Sequence, residues 1–450
     1  MIKKRLLALP VAIALLAGSI TGCGNSTPAN STSETADYSN TENNNQENGE
    51  TSSNDSKYDD NSSAAEAIST ETSDVNSANE ATSSEGEAEE TTVVKGITPR
   101  SDEMRDISAI DLVAEMEAGF NMGNALDAHS EHDTTLASET SWGNPYITKE
   151  MVDTVCEKGF DSIRFPVTWY NHVGPAPDYT VDPEWMDRVE EVVNYALDDG
   201  MYVLIDMHHE ESWRIPDAEH IDAADAENIA IWKQIAERFK NYGDHLIFEG
   251  LNEPRTKGSK EEWNGGTGEE RNFVNRLNKS FVDTVRATGG NNEKRLLVLT
   301  TYGGSNVPAA LGQLEIPEGD DHLAVAIHAY EPYAFTFANG ESWELFRWDG
   351  THNTDIDQVM LRLKANFLDK GIPVLLTEYG AVNKDENTAE VEKWVSAYVM
   401  RASLKGIPCF WWDNGTYNTE GEKFAILDRR NLTWYREEVV DAIIRESYKH

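Results

Sequence analysis

Glu253 and Glu378 each close a short apolar run. The first is Leu246-Ile-Phe-Glu-Gly-Leu-Asn-Glu-Pro254 and the second is Pro373-Val-Leu-Leu-Thr-Glu-Tyr-Gly380. Runs of this length, apolar throughout and ending in an acid, have the form of buried strands of a parallel sheet. In a closed α/β barrel such strands deliver their last residues to one mouth. Two carboxylates brought to one mouth can cleave a glycosidic bond: one protonates the leaving oxygen, and the other attacks or activates water. Glu249 is a third acid in phase with Glu253, one layer deeper, and is expected to be a buried structural partner.

Eight strand-like segments must position these residues: 117–126, 159–169, 201–208, 246–253, 294–302, 323–330, 373–380 and 407–414. Between them lie stretches with apolar residues at helical spacing, such as 183–198 and 227–239. Strict alternation of strand and helix specifies a parallel sheet. Eight repeats favour closure into a (β/α)8 TIM barrel, and no G-x-G-x-x-G follows the first strand. Polar or aromatic residues recur at the strand ends: Arg164, His208, Glu253, Tyr330, Glu378 and Trp412. Because side chains alternate along a strand, His328 and Tyr330 share a face, as do Phe410 and Trp412. Trp411 then turns toward the helices. His208 keeps phase with Asp206, whereas His209 reaches the site only where the chain is leaving the strand.

The chain before the barrel has another character. Lys3, Lys4 and Arg5 precede an apolar run over 6–17, too short for a permanent membrane span. Ile20-Thr-Gly-Cys23 follows and resembles the lipobox of bacterial lipoproteins, in which the cysteine is lipidated. Residues 24–96 carry 16 acidic side chains against two lysines and almost no large apolar residue. Such a stretch cannot bury enough surface to fold and is expected to be a disordered, acidic, self-repelling linker. The expected organisation is a lipoprotein-type signal over 1–22, a tether over 23–98 and one catalytic domain over 99–450. The expected location is extracellular, on a bacterial surface, with the membrane touched only through the anchor at Cys23.

A formal net charge of −42 repels phosphates and argues against nucleic acid. Cys156 and Cys409 lie in apolar runs, which favours two buried thiols over a pair. No C-x-x-C or H-x-x-x-H spacing points to a metal site, and the chemistry of two carboxylates needs no metal or organic cofactor. No separate carbohydrate-binding module is visible.

Eight pieces, in order, resemble endoglucanases (cellulases) of glycoside hydrolase family 5. They are Gly119-Phe-Asn-Met-Gly-Asn-Ala-Leu-Asp127, Ser141-Trp-Gly-Asn-Pro145, Ser162-Ile-Arg-Phe-Pro166, Asp206-Met-His-His209, Leu251-Asn-Glu-Pro254, His328-Ala-Tyr330, Thr377-Glu-Tyr-Gly380 and Phe410-Trp-Trp-Asp-Asn414. The resemblance spans about 105–440. It implies a (β/α)8 barrel with a proton donor after the fourth strand and a nucleophile after the seventh. Those positions fall on Glu253 and Glu378, and the implied reaction retains configuration.

The supporting roles follow. Arg164 and Tyr330 are expected to favour the charged form of Glu378, and the neighbouring carboxylate to hold the Glu253 pKa up. Asn252 would hold the sugar 2-hydroxyl, and His208 and His328 would orient the acids or bind hydroxyls. Trp412 would be the floor under the sugar being cleaved, with Asn121, Trp142 and His209 as further substrate contacts. The implied substrates are cellulose-like and mixed-linkage β-glucans, with xyloglucan where the loops leave room. Three other readings compete: a β-mannanase on the same scaffold, a surface glycan-binding protein without catalysis, and a metal-dependent barrel hydrolase. The last lacks an H-x-H at the first strand end.

Overall fold

The computed structural model describes residues 103–448, apart from 131–132, 385–386 and 420. The expected signal segment, Cys23 and the acidic tether lie outside these residues.

Eight parallel strands close into a barrel in sequence order. They are β1 Ala118–Met122, β2 Ser162–Phe165, β3 Tyr202–Asp206, β4 Leu246–Glu249, β5 Leu297–Ser305, β6 Leu323–His328, β7 Val374–Tyr379 and β8 Cys409–Asp413. The seam is the β1–β8 pairing, in which Asn121 lies opposite Trp412. Both strand faces are buried, which is why these segments are apolar on both sides. One face looks inward: Leu204, Ile247, Val298, Ala326, Leu375 and Phe410 form a compact inner cluster. The helix Ala109–Val113 and Met116 extend that cluster. Phe410 fills the interior so fully that a Cβ on Gly119 would stand 2.4 Å from its ring. The other face carries Phe120, Ile163, Ile205, Phe248, Ile327, Leu376 and Trp411 into the layer between strands and helices.

Seven of the eight expected segments contain one of these strands, and the fifth, 294–302, stops short of β5, which runs on to Ser305. The fourth strand, however, stops at Glu249, so Glu253 stands in the loop beyond β4 rather than at its end. The helix expected over 183–198 is found at Pro183–Asp198, opened by the Asp182 cap and Pro183 in its first turn. The helix expected over 227–239 begins earlier, at Ile221–Arg238. Its first turns bury only Ala224 and Asn228, too little apolar signal to be seen in sequence. The helix Gly268–Ala287 opens on a capping box between Thr267 and Glu270. That cap fixes the far end of the loop that carries Glu253.

One irregularity matters for chemistry. In β7, Leu375 faces in and Leu376 faces out. The register against β6 then shifts, pairing Glu378 with His328. The register against β8 shifts as well, between Leu376 and Tyr379. Such a bulge re-aims a side chain. Thr377 reaches inward to Glu249 at 3.3 Å. Glu378, the next residue, also reaches the inner face, where it meets Arg164. Strict alternation would have sent it outward.

Candidate active site

Arg164 on β2 is fully buried and organises the floor of the mouth. Its Nη1 donates to Glu378 at 2.9 Å and to the Asn121 side-chain oxygen at 3.0 Å. Its Nη2 donates to Asp206 at 2.6 Å and to Asn252 at 2.9 Å, and its Nε to Glu249 at 2.6 Å. One guanidinium thus serves three buried carboxylates. The negative charge exceeds the positive, and burial raises the pKa of Asp206, Glu249 and Glu378 in spite of Arg164. Arg164 is therefore both a barrel-interior salt bridge and a partner of Glu378. Glu249 occupies the deeper layer, as its phase in the strand required.

Glu378 has two further partners. The Tyr330 hydroxyl donates to its Oε2 at 2.9 Å, and His328 Nδ1 lies 3.4 Å from the same oxygen. His328 Nδ1 is closer to Glu253 Oε1, at 2.8 Å. One oxygen of each glutamate and one ring nitrogen of His328 all lie within 4.8 Å of one another. Carboxyl groups about 5–5.5 Å apart suit direct attack on a glycoside, whereas about 6.5–9.5 Å leaves room for an inverting water. The approach seen here belongs to the first kind.

The proton distribution differs from the expectation that Glu253 is held up. Burial pushes the Glu253 carboxyl up, but the His328 N–H and the Arg255 charge outweigh it and hold it down to about 2. His328 is raised against its own burial by Glu378 and Glu253. Both directions favour a proton on His328, between the two glutamates, over one on Glu253. The imidazole of His328 and the guanidinium of Arg255 reach Glu253 directly and outweigh the second carboxylate.

Trp412 on β8 lies parallel to the His208 ring, at an angle of 3° and 6.0 Å between centroids. Only Gly123 permits this placement, because a Cβ there would come within 2.6 Å of the indole. His208 is buried and uses Nδ1 on Asp206 at 2.7 Å. Burial lowers its pKa well below the usual histidine value, so the ring is neutral. His209 has left the strand and joins an aromatic wall. Its ring stands 5.2 Å from His129 and 5.4 Å from Trp142. Trp142, 40% exposed, is fixed by its indole N–H on the His129 carbonyl at 3.0 Å.

Asn252 accepts from Arg164 through Oδ1, and its Nδ2 has no hydrogen-bond partner among the described residues, which frees it for a sugar hydroxyl. Asn121 is a correction. It is fully buried, and its Nδ2 donates to the carbonyls of Thr377 and Phe410 at 2.8 and 3.1 Å. With Oδ1 on Arg164 it straps β1 to β7 and β8, and it offers nothing to a substrate.

Several residues at the mouth escaped the sequence reading. Arg255 grips Glu253 at 3.0 Å from two positions along the loop. Glu422, beyond β8, is raised by burial and by the charges of Glu253 and Glu378. Tyr333 is exposed and stacks on Phe337 at 4.6 Å. Arg255 and Glu422 lie in loops and Tyr333 opens a four-residue helix, Tyr333–Thr336, so no periodicity marks their direction. Cys156 and Cys409 are unpaired, and only Cys409 is fully buried.

A (β/α)8 barrel with two carboxylates in close approach at its mouth defines a glycosidase of the retaining type. Comparison with known proteins gives the family. The cellulase profile of glycosyl hydrolase family 5 matches residues 126–418, and the chain belongs to that family. Endoglucanase A of Ruminococcus albus is 61% identical over 349 residues, covering 77% of this chain and 95% of that protein. Among solved structures, a xyloglucan-specific endo-beta-1,4-glucanase from a metagenomic library, in complex with cellotriose, is 46% identical. It superposes with a TM-score of 0.73 over 75% of this chain and 98% of that one. A broad-specificity endoglucanase from Ruminococcus champanellensis with bound cellotriose is 41% identical, with a TM-score of 0.73 over 76% and 99% of the two chains.

Proposed function

We infer that this endo-β-1,4-glucanase of family 5 cleaves internal β-1,4 bonds by double displacement, with Glu378 as nucleophile and Glu253 as acid/base. One observation carries the assignment of residues: Glu253, His328 and Glu378 bring their reactive atoms within 4.8 Å of one another at the barrel mouth. In the first step a Glu378 oxygen bonds to the anomeric carbon as the glycosidic C–O bond breaks. The leaving oxygen takes a proton from Glu253, which His328 has supplied. In the second step Glu253 takes a proton from water. The resulting hydroxide displaces Glu378, and configuration is restored by the second inversion. Arg164 and Tyr330 hold Glu378 for attack. Asn252 holds the 2-hydroxyl through its free Nδ2, and His209 and Trp142 bind sugars beyond the cleavage point.

The substrates proposed are mixed-linkage β-glucan and cellulose-like chains, together with xyloglucan. The xyloglucan specificity of one structural relative and the broad specificity of another support this range. Product release on mixed-linkage β-glucan, carboxymethylcellulose, xyloglucan and mannan tests it. Rapid shortening of the first three is expected. Cleavage of mannan alone would overturn the substrate while leaving the carboxylate roles in place.

We further propose that Cys23 is lipidated and that the acidic segment tethers the enzyme outside a bacterial cell. The basic start, the apolar run over 6–17 and Ile20-Thr-Gly-Cys23 support this. Cys23→Ser should move the protein from the membrane fraction to the medium. An unchanged distribution would count against the anchor.

A further inference from the structure

The loop that carries Glu253 also carries a device that faces it. Arg255 Nη1 donates to Glu253 Oε2 at 3.0 Å and to the Glu253 carbonyl at 3.1 Å. Arg255 Nε donates to Glu262 Oε1 at 3.1 Å. Glu262 Oε2 in turn accepts from the Gly258 backbone N–H at 2.6 Å. The guanidinium lies 4.5 Å above the Trp263 ring, whose indole is itself exposed. This contact fixes the guanidinium plane and shields one side from water. The loop is pinned at its base, where the Thr256 N–H donates to the Tyr302 hydroxyl at 3.0 Å.

The arrangement answers a chemical problem. Glu253 must release a proton in one step and take one back in the next. A cation bound to it alone would hold it ionised and make it a poor acid. Here the guanidinium is divided between two carboxylates. We propose that Arg255 is a positioning residue for Glu253, and that Glu262, by taking a share of the guanidinium, sets how much positive charge Glu253 feels. The proposal rests on Glu253 as acid/base. From other elements Glu253 faces His328 on β6, Glu378 on β7, His208 beyond β3, Tyr330 and Tyr333 beyond β6 and Glu422 beyond β8. Neither variant below alters any of them.

Two substitutions should act in opposite directions. Arg255→Met removes positive charge beside the Glu253–His328 pair, which then keeps its shared proton to higher pH. Glu262→Gln leaves the charge of Arg255 undivided, and the pair loses that proton at lower pH. The basic limb of kcat/KM on cellotetraose is predicted to move up by about one pH unit in the first and down in the second. A dinitrophenyl β-cellobioside, whose leaving group needs no proton, should keep its kcat/KM within about threefold in both. Limbs that move in the same direction, or that stay put, would overturn the proposal. So would equal losses on both substrates. If Arg255→Met does not fold, Glu262→Gln decides alone, since its amide oxygen still accepts from Arg255. Glu253→Ala separates the two levels of argument. If it too costs both substrates equally, the acid/base assignment has failed, and not only the role of Arg255.

Discussion

Arg164 and Glu378 belong to β2 and β7, strands that are not neighbours, yet Nη1 of one lies 2.9 Å from Oε1 of the other across the barrel mouth. The contact exists because the bulge in β7 turns Glu378 inward. It links the acid proposed to attack the sugar to the charge network that closes the barrel interior.

Glu378→Ala should lower kcat on β-glucan by at least about 10,000-fold, as loss of a nucleophile does in other two-step enzymes. Binding of the glucan should persist. Azide should restore cleavage of an activated β-cellobioside by entering the space of the lost carboxylate, giving a glycosyl azide of inverted configuration. Wild-type rates in the variant would remove Glu378 from the mechanism.

Arg164→Met leaves Asp206, Glu249 and Glu378 without their shared cation. Removing one partner of a buried ionic network costs about 3–5 kcal/mol. The sign with pH follows from burial, which already raises all three carboxyls. A carboxyl raised in the fold contributes stability below its unfolded pKa and loses it as pH rises through the folded value. The variant raises them further. Its deficit in melting temperature should therefore widen from about pH 5 to about pH 8, and calorimetry at the two values measures it. A deficit constant with pH would contradict this account of the network.

The mobile proton on His328 predicts the pH dependence of catalysis. His328 is raised above its usual value of 6.5 by Glu378 and Glu253. The proton is present below the raised value and lost above it. The basic limb of kcat/KM should then fall above about pH 6.5, the ordinary histidine value. A basic limb well below that point would place the working proton elsewhere.

Trp142→Ala removes the exposed ring beside His209 and His129 but nothing near the carboxylates. The loss should appear in KM for long glucans, at about 1 kcal/mol, with kcat little changed. Equal KM values would show that Trp142 touches no sugar.

Much of this was legible in the chain. The strands announced themselves because both of their faces are buried, and their alternation correctly sent Trp411 outward and Trp412 inward. Glu249 was placed one layer below Glu253 by the same rule. What failed was geometry that alternation cannot carry. The bulge at Thr377 and Glu378 breaks period two. Asn121 sits in a motif shared with a glucanase family, yet its amide is consumed by the Thr377 and Phe410 carbonyls. Arg255, two residues beyond Glu253, lies in a loop with no pattern that marks its hydrogen bond to Glu253. The direction of the Glu253 shift depended on His328, which is 75 residues away in sequence.

The most direct test is to trap the covalent intermediate. A 2-deoxy-2-fluoro-β-cellobioside with an activated leaving group should react once and stall, because the fluorine slows the second step more than the leaving group slows the first. Mass spectrometry of the peptides should then find one fluorocellobiosyl group on Glu378. A label on Glu253 or Glu422, or turnover with inversion and no label, would contradict the account.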